Sequence, residues 1–259
     1  MGRVHDKVAI VTGASRGLGE AISYRFAQEG AKLVLADIDE AGLEATATKI
    51  RDEGGEVVTL IGDITEEEPA SQLIESAITQ FGQIDILVNN AGIFCASDEV
   101  ADMPEAEWQR SLDINLTGAM HVARESIPYL RLGWEPSLIM VGSKNVPAPG
   151  PAAGAYSVAK AGLTQLARVL ALELAGDGIR VNTLHPNAVF DTAIWTDEVL
   201  EGRAAHYGMS VEDYRRNNLL HREVTSADVA AMVCAMAGSA FRCTTGAQLP
   251  IDGGNERVV

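Results

Sequence analysis

Lys7-Val8-Ala9-Ile10-Val11-Thr12-Gly13-Ala14-Ser15-Arg16-Gly17-Leu18-Gly19 decides the fold. Lys7 to Val11 is a short apolar strand signal, and it runs into a turn carrying three glycines before a helix pattern that continues to about Gln28. Strand, glycine turn and helix in that order let the backbone turn sharply and approach a pyrophosphate. The phosphate charge then rests on the free N–H groups and positive dipole end of the helix. The position of the turn between a strand and a helix separates it from a chance run of glycines. Gly13, Ser15, Arg16, Gly17, Leu18 and Gly19 are therefore candidate cofactor-binding residues.

Outward from this stretch, strand and helix signals alternate. Further strands are predicted at Lys32 to Ala36, Glu56 to Ile61, Ile84 to Val88, Leu138 to Val141 and Ile179 to Leu184, with a last one opening the tail Gln248 to Gly254. Helices are predicted at Glu66 to Phe81, as one long segment at Glu105 to Leu132, and from Ala155 onward. This is the pattern of an α/β protein: a Rossmann-type doubly wound parallel sheet of about seven strands, helices on both faces, in a single domain. Asp37 ends the second strand, about twenty residues past the glycine turn. A carboxylate there accepts both hydrogen bonds of an adenosine ribose diol and repels a 2′-phosphate, which favours NAD over NADP. Arg16, able to pair with that phosphate, argues the other way, and capping of the next helix is an alternative use for Asp37.

A second constellation lies at Ser143 to Lys160. Apolar residues at three- and four-residue steps from Ala155 to Leu174 make this a helix, so Tyr156 and Lys160 lie one turn apart on one face. An ammonium beside a phenol, whose reference pKa is ~10, favours the phenolate and brings it toward the range of a general acid/base. Ser143, at the end of a strand, can hold the oxygen that the tyrosine protonates or deprotonates. Taken alone, Tyr-x-x-x-Lys also suits an exposed helix pair.

Together these motifs resemble the short-chain dehydrogenase/reductase family over about Lys7 to Gly254. The resemblance rests on Thr12-Gly13-x-x-x-Gly17-x-Gly19, Asp63, Asn89-Asn90-Ala91-Gly92, Asn115, Ser143 and Tyr156-x-x-x-Lys160, in that order. It implies a nicotinamide cofactor, hydride transfer and a homotetramer. It also implies that Asp63 and Ile64 hold the adenine, that Asn90, Ala91 and Gly92 border the cofactor, and that Asn115 orients a water linking Lys160 to solvent. Pro186 and Val189 follow as cofactor contacts under the nicotinamide. Where the family usually shows Pro-Gly this chain has Pro186-Asn187, and asparagine is the next most tolerant residue for a left-handed turn. The run Leu184 to Trp195 resembles the branch holding the dehydrogenase half of rhamnulose-phosphate aldolase/dehydrogenase proteins and sugar or polyol dehydrogenases.

Between the sixth strand and the last helix, about 190–222, the chain is long enough for a lid over a substrate. Arg203 to Arg222 carries four arginines against Glu212 and Asp213, locally positive in a chain of net charge −16. Arg215 and Arg216 suit an anionic substrate group, or equally subunit salt bridges and a solvated helix face. Ser143, Lys144, Asn145, Asn187 and Trp195 complete the expected substrate site. Length, 259 residues, and 47% hydrophobic composition allow a large core, and no apolar run spans a bilayer. Three cysteines without metal-type spacing point to reduced thiols, no metal and a cytoplasmic setting. The acidic balance argues against nucleic acid. The expected function is NAD-dependent hydride exchange with a sugar-like alcohol. Oxidation of a small hydroxy-aldehyde to its acid, or non-catalytic NAD binding, are the alternatives.

Overall fold

The computed structural model describes residues 2–94 and 98–255. Cys95, one of the three cysteines expected to be reduced thiols, lies outside the described residues. Seven strands form one sheet: β1 (Val8–Thr12), β2 (Lys32–Asp37), β3 (Val57–Ile61), β4 (Ile86–Asn89), β5 (Ser137–Val141), β6 (Arg180–Pro186) and β7 (Gln248–Ile251). The order is β3-β2-β1-β4-β5-β6-β7, every pairing parallel. All five residues of β1 and of β5 are buried, because both faces of the sheet are covered; this is why these strands read as unbroken apolar runs.

Side chains alternate between two cores. Ala9, Val11, Leu33 and Leu35 face α1 (Gly17–Gln28), α2 (Glu40–Asp52) and α9 (Ser226–Ala237). Ile10, Val34, Leu87 and Leu138 face α3 (Glu67–Phe81), α5 (Gly118–Leu130) and α6 (Gly154–Leu174). The chain runs outward from β1 through β2 to β3 and then returns to place β4 on the other side of β1. The carboxyl ends of β1 and β4 therefore open a crevice at the switch point, the position where such sheets bind ligands. At the opposite end of this pair Asp85, fully buried, accepts from Val8 N (2.8 Å) and Trp134 N (2.6 Å), which holds the two strands in register.

Two expectations change. The helix predicted through Glu105 to Leu132 is α4 (Glu105–Leu112) and α5 joined by a π-helical turn, Asp113–Thr117, with Asn115 inside it. Apolar periodicity cannot register one extra residue in a turn, and π turns concentrate at functional sites. The segment expected to be a lid contains two short helices, α7 (Asp197–His206) and α8 (Val211–Arg215), each started by a side-chain cap, Thr196 and Ser210. Among the described residues no helix is long and apolar enough to cross a membrane.

Candidate active site

The glycine turn is held by β4. Asn90 Nδ2 donates to Thr12 O (2.9 Å) and Gly13 O (3.1 Å), and Thr12 Oγ1 accepts from the N–H groups of Asn90 and Ala91 at 3.1 Å. A Cβ on Gly19 would stand 1.9 Å from Gly13 O, and one on Gly13, whose φ is +67°, would stand 2.7 Å from Ala91 Cα. Both positions require glycine, one for close approach and one also for its backbone angle. α1 begins at Gly17 with no side-chain cap, so its N–H groups are left for an anion. Asp37 Oδ2 accepts from Ser15 N (2.9 Å) and Oδ1 from Asp39 N (3.1 Å), which fixes the carboxylate at the end of β2. The cap of α2 is Asp39, accepting from Gly42 N (3.1 Å), so Asp37 is not used for capping. Asp63 follows β3 and accepts from Thr65 N (2.9 Å), while Ile64 is buried against Gly118. An uncapped helix end, a cradle that excludes Cβ atoms and an anchored carboxylate fit a dinucleotide. Leu18 packs partly into the core and the side chain of Val189 is buried in it.

Tyr156 and Lys160 lie one turn apart on α6, and Ser143 is close enough to the Tyr156 phenol to lower its pKa. Lys160, 3% exposed, donates to Val141 O (2.9 Å), and its Nζ is 5.9 Å from the centre of the Tyr156 ring. The Phe94 ring lies 5.0 Å from that of Tyr156. The expected depression of the tyrosine by the lysine is reversed in the chain by itself. Burial pushes the Tyr156 phenol up, only partly offset by Ser143, and pushes the Lys160 ammonium down to about 8. Desolvation penalises the charged form of each group and outweighs their mutual effect.

Asn115, fully buried, spends its amide on the backbone. Its Oδ1 accepts from Ile93 N (3.1 Å), and its Nδ2 donates to Ile93 O and Ser111 O, both 3.0 Å. A Cβ on Gly92 would stand 2.7 Å from Asn115 Oδ1 and 3.2 Å from Lys160 Nζ, so Gly92 lies between the two.

His185 is a positioning residue that sequence reasoning missed. Nearly buried at the end of β6, its Nδ1 is 3.2 Å from Ser143 N and 2.9 Å from Ser143 O, and burial lowers its pKa. The ring fits because the facing residue is Gly142, where a Cβ would stand 2.7 Å from Nδ1. Only the β5–β6 register reveals this pairing; the sequence carries no separate signal for it.

Next to Lys144, the residue after Ser143, the 190–222 segment borders a pocket of about 180 Å³, lined by the rings of Phe190, Tyr207 and Tyr214, the cations Lys144 and Arg215, and asparagines including Asn187. Phe190 packs on Trp195 (4.8 Å) and Tyr214 (5.6 Å), and Tyr207 stacks on Tyr214 at 5.8 Å. Trp195 thus buttresses this segment and is not among the lining residues. Asn145 acts through its backbone, donating N–H to Ser143 Oγ (3.1 Å). Arg216 turns away to Glu212 at 3.4 Å. Asn187 does not take the left-handed conformation: the described non-glycine residues with positive φ are Asp6, Glu135, Ala152 and His221. A hydrogen bond from Asn187 N to Ile251 O (3.2 Å) carries the chain past Pro186 without it.

A switch-point crevice with a glycine cradle and a Ser-Tyr-Lys cluster defines a dinucleotide-binding oxidoreductase. Residues 13–256 match the family model described as enoyl-(acyl carrier protein) reductase. The chain is 37% identical over 256 residues to the uncharacterized oxidoreductase YuxG of Bacillus subtilis, covering 96% of this chain and 37% of that longer protein. It is 32% identical to (-)-trans-carveol dehydrogenase of Rhodococcus erythropolis, covering 98% and 99% of the two chains. Carveol dehydrogenase from Mycobacterium avium, solved in complex with NAD, superposes with a TM-score of 0.91 at 29% identity, covering 99% of this chain and all of that one. An actinorhodin polyketide ketoreductase variant solved with NADPH also matches, at a TM-score of 0.88, 27% identity, and 98% and 99% coverage. The chain belongs to the short-chain dehydrogenase/reductase family, whose members act on alcohol and carbonyl groups.

Proposed function

We propose that the chain is an NAD-dependent dehydrogenase that exchanges a hydride with a secondary alcohol, or the matching carbonyl, of a sugar, sugar derivative or polyol. The observation that carries this is the Tyr156 phenol set beside Ser143, with Lys160 buried one helical turn further along α6. A nicotinamide dinucleotide supplies the hydride acceptor or donor. Gly13 to Gly19 bind its pyrophosphate, and Asp37 takes the adenosine ribose diol and disfavours a 2′-phosphate. Ser143 orients the substrate oxygen, and Tyr156 moves its proton. Because burial keeps the phenol protonated, it is ready to give that proton to a carbonyl at neutral pH; taking one from an alcohol requires the phenolate, so oxidation rises with pH. Lys160 holds the nicotinamide ribose. Asn115 sets the 92–93 turn beside Lys160 and, within the π turn, orients the relay water.

The sugar-like substrate is supported by the pocket. Aromatic rings offer faces to C–H groups, while amides and cations offer hydrogen bonds to hydroxyls, a mixture suited to a polyhydroxylated molecule. A relative in which the matching region is about a third of a longer chain agrees with the bifunctional branch. Val158, Val169 and Leu172 leave an apolar stripe exposed on α6, which supports assembly into the homotetramer, working in the cytoplasm.

The test is NADH formation at mildly alkaline pH over neutral and charged sugars, sugar acids and polyols, with NADP in parallel. Turnover with NAD that disappears in Tyr156→Phe, cofactor binding being kept, is the expected result. Full turnover in the phenylalanine variant would remove the proton-transfer role. NADH binding with no turnover of any alcohol or carbonyl would replace the enzyme reading by a binding one.

A further inference from the structure

We propose that the pocket next to Lys144 is an oxyanion subsite, in which Lys144 and Arg215 hold a carboxylate or phosphate carried by the substrate a few atoms from the reacting carbon. It rests on the dehydrogenase reading above. The chain has a net charge of −16, yet this pocket is lined by two cations and by no carboxylate. Their counter-charges stand one layer back. Glu223 Oε1 lies 3.7 Å from Arg215 Nη1, and Asp252 acts on Lys144 from outside the lining. Arg215 Nε is buried and has no hydrogen-bond partner among the described residues, so the guanidinium's donors are not all satisfied within the chain. Its neighbour Arg216 also pairs with a carboxylate, Glu212, but faces solvent and does not line the pocket.

Placement gives the distance rule. Lys144 directly follows Ser143, and its N–H donates to Pro186 O (3.0 Å), which fixes where its side chain leaves the loop. That side chain is half-buried and donates to Asn255, itself tied to Asn217 O. Burial makes its charge costly, a cost that a bound anion relieves. Phe190, Tyr207 and Tyr214 leave an apolar wall for the carbons between the anion and the carbinol. The substrate class that fits is a hydroxy acid or phosphorylated hydroxy compound.

The experiment uses the full-length protein saturated with NADH and titrated with inorganic phosphate and malonate, minimal anions that need no sugar skeleton. D-gluconate, D-glucitol and D-glucitol 6-phosphate follow as a set differing in charge. Each anion is expected to bind at least tenfold tighter than glucitol and to lose at least tenfold in Lys144→Met and Arg215→Gln, while Arg216→Gln binds as the parent does. The phosphate and carboxylate arms identify which oxyanion is preferred. NADH affinity and melting temperature establish that the variants fold, and Arg215→Lys, which keeps the charge without the fork, is expected to be intermediate. Anions binding no better than glucitol, or variants shifting them less than twofold, overturn the subsite. Turnover of neutral polyols with no such preference sinks the subsite and spares the dehydrogenase. Anion binding that depends on both residues, with no turnover of any alcohol, does the reverse.

Discussion

Replacing Lys160 by methionine is expected to make the cofactor-free protein more stable at neutral pH, although it removes a residue the activity needs. The ammonium, 3% exposed, is moved by burial from an ordinary 10.5 to about 8. A displacement of that size corresponds to about 3 kcal/mol against the charged form in the folded chain. Between about pH 8 and 10.5 the unfolded chain holds a proton that the folded one has released, so stability rises with pH across that window. Below it the full penalty is present. Methionine abolishes the penalty but also the hydrogen bond to Val141 O, worth about 1 kcal/mol. The variant should therefore exceed the parent by about 2 kcal/mol at pH 7, and the gap should close to near zero by about pH 9.5. Urea unfolding of both proteins at pH 7.0, 8.5 and 9.5, at one protein concentration and without cofactor, measures it. A variant less stable at pH 7, or a gap that does not change with pH, would refute a buried ammonium as the source of the penalty.

Gly19→Ala places a methyl group 1.9 Å from Gly13 O and is expected to cost about 1–3 kcal/mol and at least a hundredfold in dinucleotide affinity, read by NADH fluorescence titration. Asp37→Ala should raise kcat/KM with NADP relative to NAD at least tenfold; an unchanged ratio would mean that the carboxylate does not face the ribose. His185→Leu keeps the volume and removes the contacts to Ser143 N and O, so kcat should fall at least tenfold while NADH affinity holds, and equal losses in both would make His185 merely structural. In the oxidising direction log kcat should rise with pH and level off only above the ordinary range of a tyrosine, because burial raises Tyr156.

The parts of the site that are local in sequence were legible. Gly13, Gly17 and Gly19 announce a cradle because only glycine tolerates the angles and approaches such a turn demands, and Tyr156 and Lys160 announce a pair because helical spacing alone brings them to one face. The strands are legible for the same reason, as apolar runs whose burial on both faces leaves little choice of composition. The π turn at Asn115 is not, since it adds one residue to a helix without altering its amphipathic character. The role of Asn145 is equally hidden, because a backbone N–H donating to Ser143 leaves no trace in the choice of side chain.

The sequence by itself determined the alternation of strands and helices, the phosphate cradle and the Tyr156–Lys160 pair, which depend on residues within a turn or two of one another, and it placed Asp37 and Ser143 at the carboxyl ends of apolar strands. Tertiary structure alone decided three things. Parallel pairing of β5 with β6 brought His185 onto Ser143 across 42 residues of chain. Folding of the 190–222 segment put Arg215 in the pocket lining and left its neighbour Arg216 in solvent. Burial reversed the electrostatic expectation for Tyr156 and Lys160. The physical reason is common to all three: desolvation and long-range register are properties of the packed molecule, and neither is encoded in the spacing of residues along the chain.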